Sequence, residues 1–193
     1  REYVGDILNS GKHLLSLIED ILDIARIESD KIPIEIVSTP LAGMVGDAYV
    51  LVQNHAREKS LEIIGTRITE DINLAVDPTR CLQILVNILG NAVKFTPDGG
   101  AIEVQPKIGE YGLYLSIRDT GIGIPEDAIN KLGTPFEQVQ NQFTKDHKGS
   151  GLGLAITQSL VGMHGGHMQI TSKEGVGTTV TVCLPLVQDL HDA

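Results

Sequence analysis

The chain has 193 residues, 41% hydrophobic and 21% charged, enough for one full domain, a modest appendage and a sizeable core. Its 15 basic and 25 acidic side chains leave a formal charge of −10, which argues against a nucleic-acid partner, because binding there rests on neutralising phosphates. That charge does not exclude a phosphate-bearing ligand, since backbone N–H groups at helix N-termini hold anions without a basic surface. No apolar stretch approaches the roughly 18 residues of a membrane span, and Arg1-Glu2-Tyr3 does not open a signal peptide, so a soluble chain is expected. Cys81 and Cys183 are too few for a disulfide framework and wrongly spaced for a metal or redox pair; both read as core thiols of a reducing compartment.

Between residues 3 and 29 the apolar side chains keep helical time, with Val4, Ile7, Leu8, Leu14, Leu15, Ile18, Ile21, Leu22 and Ala25 at three- and four-residue steps. A stripe that broad suits a helical bundle, and Pro33 and Pro40 soon break the chain, so this helix is expected to need partners outside the following domain. A short strand is predicted at 34–38, a helix at 41–59, and strands at 61–67 and 72–76. Asp77-Pro78 then offers an N-cap followed by proline at the first helical position, opening a helix that runs to about residue 95. After the turn at 96–100, segments 101–108 and 113–119 form an antiparallel pair. An irregular stretch covers 120–150, a helix 151–164, and 168–172 with 178–184 closes as a hairpin. No repeat or low-complexity tract interrupts this order, and its mixture of hairpins and helices is α+β, not a doubly wound parallel sheet.

Two glycine clusters flank the irregular stretch. Asp119-Thr120-Gly121-Ile122-Gly123-Ile124-Pro125 follows an apolar strand, and Gly149-Ser150-Gly151-Leu152-Gly153-Leu154 precedes a helix. Glycine lets backbone approach a ligand closely, and a helix N-terminus offers N–H donors to phosphate. Neither spacing is that of a dinucleotide fingerprint, and no P-loop or eukaryotic protein-kinase signature occurs. On the helix after Asp77, Asn87, Asn91 and Lys94 stand at i, i+4 and i+7, along one face. The opposite stripe of Leu82, Leu85, Val86, Leu89 and Val93 is expected to pack on the sheet. Burying such polar groups unsatisfied costs roughly 2–7 kcal/mol each, so they need a polar partner. Amide oxygens suit Mg²⁺, and a lysine suits phosphate.

Residues 87–95 resemble the N box of sensor histidine kinases, 119–125 their G1 box, Pro135-Phe136 the end of their F box, and 149–154 their G2 box. The match covers about 38–185, in order and with matching spacing. It implies the catalytic and ATP-binding domain with the Bergerat (GHKL) fold, a two-layer α/β sandwich with a mixed sheet packed on one face by helices. That fold is shared with Hsp90-type chaperones, DNA gyrase B subunits and MutL-type repair proteins. The N-terminal helix resembles the second helix of the dimerisation and phosphotransfer hairpin. The division expected is 1–30 for that helix, 34–187 for the catalytic domain and 188–193 for a tail.

Carried over, the resemblance gives Asp119 the adenine amino group, with Thr178 beside it through ordered water, and lets Gly121 and Gly123 turn the chain around the base. Asn91 and Asn87 would bind Mg²⁺ and phosphate oxygens, Lys94 would neutralise phosphates, and Phe95 would pack near the nucleotide. Gly149, Gly151, Leu152 and Gly153 would bring backbone N–H groups to the phosphate tail. Cofactors implied are ATP and Mg²⁺; partners implied are a second copy through the N-terminal helix and a response-regulator receiver domain, in the cytoplasm, with the full-length protein free to be membrane-anchored.

Two departures qualify the match. No histidine has the context of the phospho-accepting H box: His13 reads as solvated, and His55, His147, His164, His167 and His191 lack the motif, so the acceptor and its acidic neighbour are expected outside this segment. In the lid, Gly133 stands where the family usually carries phenylalanine and Gln138 where some members have a phosphate-binding arginine; Lys145 or Lys148 is the candidate replacement cation. The wording of 132–138 resembles the alphaproteobacterial cell-cycle type. The reading is therefore a protein-histidine kinase domain. A catalytically silent phosphotransferase or scaffold is the alternative, as is a GHKL ATPase. The first is disfavoured by the intact nucleotide groups, the second because Asn87 occupies the position of the hydrolytic glutamate and an amide takes no proton from water.

Overall fold

The computed structural model describes residues 11, 14–15, 17–19, 21–26, 33–129, 132–134 and 151–187. Strand β1 (Val37–Pro40) pairs antiparallel with β3 (Asn73–Val76) as a small separate sheet. It starts later than the 34–38 expected, because its register is set by β3 and the Glu35 N–H is spent on the Asp77 carboxylate at 3.1 Å. Helix α1 (Leu41–Glu58) follows at once, burying Leu41, Met44, Val45, Ala48, Val52 and Ala56 at helical spacing. Its first N–H, on Leu41, is taken by Ile72 O at 2.9 Å.

Strand β2 (Glu62–Ile64) is shorter than the predicted 61–67. It stops at Gly65, whose φ is +79° and whose Cβ position lies 2.0 Å from the Val104 carbonyl, so the backbone must turn there and no side chain fits. Helix α2 (Pro78–Phe95) opens as expected, with Asp77 Oδ1 accepting the Arg80 N–H at 3.0 Å and proline in the first turn. Its buried face is Cys81, Ile84, Leu85, Ile88, Leu89, Ala92 and Val93, rotated from the stripe expected; Leu82 and Val86 are only partly buried. The rotation arises because α2 packs against α1 on one side and α4 (Gly153–Met163) on the other, as well as on the sheet.

Strands β4 (Ala101–Gly109), β5 (Gly112–Asp119), β6 (His167–Lys173) and β7 (Gly177–Leu184) complete a five-stranded mixed sheet in the order β2-β4-β5-β7-β6, with only β2 and β4 parallel. Ile102, Val104, Leu113, Leu115, Ile117, Val180, Val182 and Leu184 turn one face toward the helices and are buried there. On the other face Ser116 and Thr181 pair hydroxyls at 2.9 Å. This is the sandwich expected, an α+β Bergerat fold. A short helix, α3 (Glu126–Ile129), interrupts the stretch read as irregular.

The described part of the N-terminal helix leaves Leu14, Leu15, Ile18, Ile21 and Leu22 between 47% and 59% exposed. Its last turns do rest on the domain: Ile24 packs against the core, and Asp23 accepts Gln83 Nε2 at 2.8 Å and lies 3.8 Å from the Arg80 guanidinium. Among the described residues, no helix is long and apolar enough to cross a membrane. Both cysteines are free and buried.

Candidate functional site

Asp119 closes β5, paired across from Ile102, with 8% of its surface exposed. Its Oδ1 accepts the Gly121 N–H at 2.8 Å and the Thr178 N–H at 3.1 Å. Burial pushes its pKa above the ordinary carboxylate value in spite of those two donors. Among the described residues Oδ2 has no hydrogen-bond partner, so a half-satisfied carboxylate presents one acceptor oxygen.

The glycines around it are required by contact. A Cβ on Gly121 would lie 2.6 Å from Asp119 Oδ1 and 2.7 Å from Phe95 O; on Gly123, where φ is +66°, it would lie 2.0 Å from Lys173 O. The loop is then tacked down on both sides, with Ile122 N–H on Phe95 O at 3.2 Å and Gly175 N–H on Ile122 O at 2.8 Å. Thr178 meets Asp119 through its backbone N–H, while its hydroxyl lies 2.8 Å from Ser172 Oγ. Ser172 also donates to Gly177 O and accepts the Ile124 N–H, each at 2.9 Å. One hydroxyl has one proton, so Thr178 must donate to Ser172 and turns only lone pairs outward. Sequence reasoning missed Ser172. The only signal for it is its register opposite Thr178, which needs the hairpin to be built first.

Along α2 the structure does align Asn87, Asn91 and Lys94, all half-buried, with Asn87 and Asn91 about 6 Å apart along the axis. Asn87 Nδ2 donates to Gly153 O and to Thr157 Oγ1, both at 3.3 Å. A carbonyl accepts only, so the amide nitrogen must face α4 and Oδ1 points away from that staple. Thr157, fully buried and itself bonded to Gly153 O at 2.8 Å, is a second residue the sequence did not single out. Asn91 has no side-chain hydrogen bond among the described residues. The Lys94 ammonium stands 5.0 Å from the Phe95 ring centroid, and burial lowers its pKa.

At the start of α4, Gly151 has φ +72° and the N-cap position falls to the buried Leu152, whose own apolar side chain cannot cap the helix. Such an end suits an anion. Gly133, at φ +87°, has its Cβ position 2.2 Å from Gln158 Oε1, so the segment around it approaches α4 where a side chain would meet Gln158. Lys145, Lys148, Gly149, Pro135, Phe136 and Gln138 lie outside the described residues. The buried His164 has its ring satisfied on both sides: Nε2 accepts the Asp77 N–H at 3.0 Å, so the proton sits on Nδ1 and goes to Leu160 O at 2.7 Å.

The site's parts therefore come from α2, the β5–α3 loop, the β6–β7 hairpin and the start of α4. A profile of the family described as histidine kinase-, DNA gyrase B-, and HSP90-like ATPase matches residues 76–188. The chain is 38% identical over 187 residues to an uncharacterised sensor-like histidine kinase of Rhizobium meliloti, covering 96% of this chain and 35% of that protein. It is 41% identical over 192 residues to the non-motile and phage-resistance protein of Caulobacter vibrioides, covering 95% of this chain and 22% of that protein. Full-length ShkA, solved in complex with AMPPNP, superposes with a TM-score of 0.79 at 31% identity, over 96% of this chain and 38% of that one. The chain thus spans between 22% and 38% of the length of these three proteins. With its profile match over more than half the chain, and its five-stranded sheet carrying these motifs, the chain belongs to the histidine kinase-, DNA gyrase B- and HSP90-like ATPase family, as a catalytic and ATP-binding domain of the sensor histidine kinase type.

Proposed function

We propose that the chain binds Mg·ATP and, within a longer protein, transfers the γ-phosphoryl group to a histidine outside this segment. The observation that carries the reading is Asp119, a buried carboxylate with one oxygen held by two backbone N–H groups and the other offered to a ligand's donor. The exocyclic amino group of adenine is such a donor, with the Thr178 hydroxyl beside it as a second acceptor. From that corner α2 runs back past Lys94 and Asn91 to Asn87 and the start of α4, the direction a triphosphate would take.

The donor set fits magnesium. Asn91 has a carboxamide without a protein partner among the described residues, and Asn87 has its nitrogen committed to α4, so two hard amide oxygens are available. Mg²⁺, when bound, would neutralise phosphate charge. Lys94 would add a cation, and the N-terminal N–H groups of α4 would hold the phosphate tail. In the transfer, an imidazole nitrogen bonds to phosphorus as the bridge to ADP breaks, and the imidazole proton leaves to a base outside this segment. What these residues supply is positioning and charge, which is most of what phosphoryl transfer asks of a protein. The amide at Asn87, bonded to Gly153 and Thr157, serves as a helix staple and cannot act as a hydrolytic base, which favours this reading over a GHKL ATPase.

The same reading takes 1–30 as half of a dimerisation hairpin, 34–187 as the catalytic domain and 188–193 as a tail. A second copy would cover Leu14, Leu15, Ile18, Ile21 and Leu22, the phosphoryl group would pass on to a receiver domain, and the work would be done in the cytoplasm.

The test has two steps. Calorimetric titration with ATP should give saturable binding that Mg²⁺ changes. With γ-labelled ATP the chain should not label itself, but it should label an added partner carrying an H-box helix, weakly unless tethered. The product should be acid-labile and alkali-stable. Absence of ATP binding, or acid-stable self-labelling, would overturn the reading.

A further inference from the structure

The last four carbonyls of a helix have no donor within it, and those of α2 can be accounted for one by one. Ala92 O takes the Thr96 N–H at 3.0 Å and the Thr96 hydroxyl at 2.6 Å. Phe95 O takes the Ile122 N–H at 3.2 Å. Val93 O and Lys94 O lie 2.9 and 3.0 Å from Nζ of Lys59, which donates to Thr96 O as well. An ammonium has three protons, so this one is spent wholly on backbone. The dipole also favours a cation at this end of the helix. Lys59 is itself held, through its N–H on His55 O at 3.2 Å and its carbonyl under the Gly99 N–H at 2.9 Å.

We propose that Lys59 is a positioning residue for nucleotide binding: it clamps the C-terminal turn of α2 so that the Lys94 side chain and the Phe95 carbonyl stay in register with the Asp119 loop. This rests on the ATP reading above. The backbone it grips belongs to Lys94, on the phosphate side, and the next residue's carbonyl fixes Ile122, on the base side. One bond further, the Gly121 N–H orients Asp119. A small rotation of this turn therefore displaces both ends of the site together, although Lys59 touches neither Asp119 nor the two asparagines.

Lys59→Met removes all three donors and keeps most of the stem, and Lys59→Arg restores charge and donors. Val45→Ala, buried at the far end of α1, is the control for lost stability alone. ATP affinity of the full chain is measured by calorimetry well below each variant's melting point, and Ile122 amide exchange is followed by NMR without nucleotide. The expected result is about tenfold weaker binding or more for Lys59→Met, with faster Ile122 exchange. Lys59→Arg should recover most of the loss, and Val45→Ala should bind as the parent does. A folded Lys59→Met that binds ATP normally, or an equal loss in Val45→Ala, overturns the proposal. If Lys59→Met does not fold, Lys59→Gln is judged by the same two criteria. A parent chain that fails to bind ATP sinks the nucleotide reading instead, while Ile122 exchange still tests the clamp.

Discussion

At the scale of the residue, Asp119 has two properties that separate binding from stability. Its pKa is raised by burial, so the folded chain takes up a proton more readily than the unfolded one; the charge costs stability above the folded pKa, and that cost disappears as pH falls through it. Asp119→Asn removes the buried charge and keeps an oxygen for the Gly121 and Thr178 N–H groups. Apo stability at neutral pH should therefore be unchanged or higher. ATP affinity should fall by about 1–3 kcal/mol, because an amide donor then faces the adenine donor. In the parent chain, affinity should decline as pH falls through the raised pKa, and the variant should lack that limb; calorimetry across the acid range reads both. Gly123→Ala makes the complementary case, forcing a Cβ onto the Lys173 carbonyl at φ +66°. It should cost about 1–3 kcal/mol in chemical denaturation, before any ligand is added. Cys81 is perturbed for the same reason as Asp119: burial first, then the nearby Asp77, pushes the thiol up to about 12. Neither it nor Cys183 is expected to react with a thiol reagent until the chain unfolds.

At the scale of the element, α2 organises the molecule, and its two ends are secured differently. The C-terminal turn depends on Lys59. The N-terminal turn depends on Asp77, whose carboxylate serves the Arg80 and Glu35 N–H groups. Burial alone would raise its pKa, but the backbone N–H donors of Arg80, Glu35 and Thr79 outweigh that and hold it below the usual value. A depressed carboxylate pKa contributes stability that is present above the unfolded pKa and lost as pH falls through the folded one. Asp77→Ala should thus cost about 1–2 kcal/mol near neutral pH. The gap between variant and parent should narrow as pH drops below about 4, which urea titrations at several pH values would show. A constant gap would mean that the cap acts by shape alone. The contact of Asp23 with Arg80 and Gln83 is weaker in kind. A partly exposed ion pair at 3.8 Å should contribute no more than about 1 kcal/mol, so Asp23→Ala should leave the melting point close to that of the parent.

At the scale of the whole molecule, the site exists only when sheet and helices are assembled, so ligand binding and folding must be linked. ATP at about 100 times its Kd should stabilise the chain by about 2.7 kcal/mol, seen as a rise in Tm, and Asp119→Asn should lose most of that rise. The proposed boundary at residue 30 makes a further claim. Removing 1–30 takes away Ile24 and Asp23 but no group of the nucleotide site, so ATP affinity should stay within about twofold. Self-association through Leu14, Leu15, Ile18, Ile21 and Leu22 should disappear in sedimentation. Loss of ATP binding on truncation would show that the helix is part of the catalytic unit.

Local features were legible in the sequence because local chemistry determines them. Asp77-Pro78 caps a helix wherever it stands, and α2 duly begins there. Glycines at 121 and 123 mark backbone that passes too close to its neighbours for a side chain, and the Asp119 carboxyl and Phe95 and Lys173 carbonyls are those neighbours. The spacing of Asn87, Asn91 and Lys94 follows from the helical repeat alone. What only the tertiary structure decided are pairings between groups distant in the chain. Ser172 under Thr178, Thr157 behind Asn87, Lys59 beneath the end of α2 and His164 on the Asp77 N–H all join donors to acceptors that no local pattern relates. The later start of β1 and the rotated face of α2 have the same origin. A strand takes its register from its partner and a helix its buried arc from its neighbours, and in this chain those partners are brought together only by the fold.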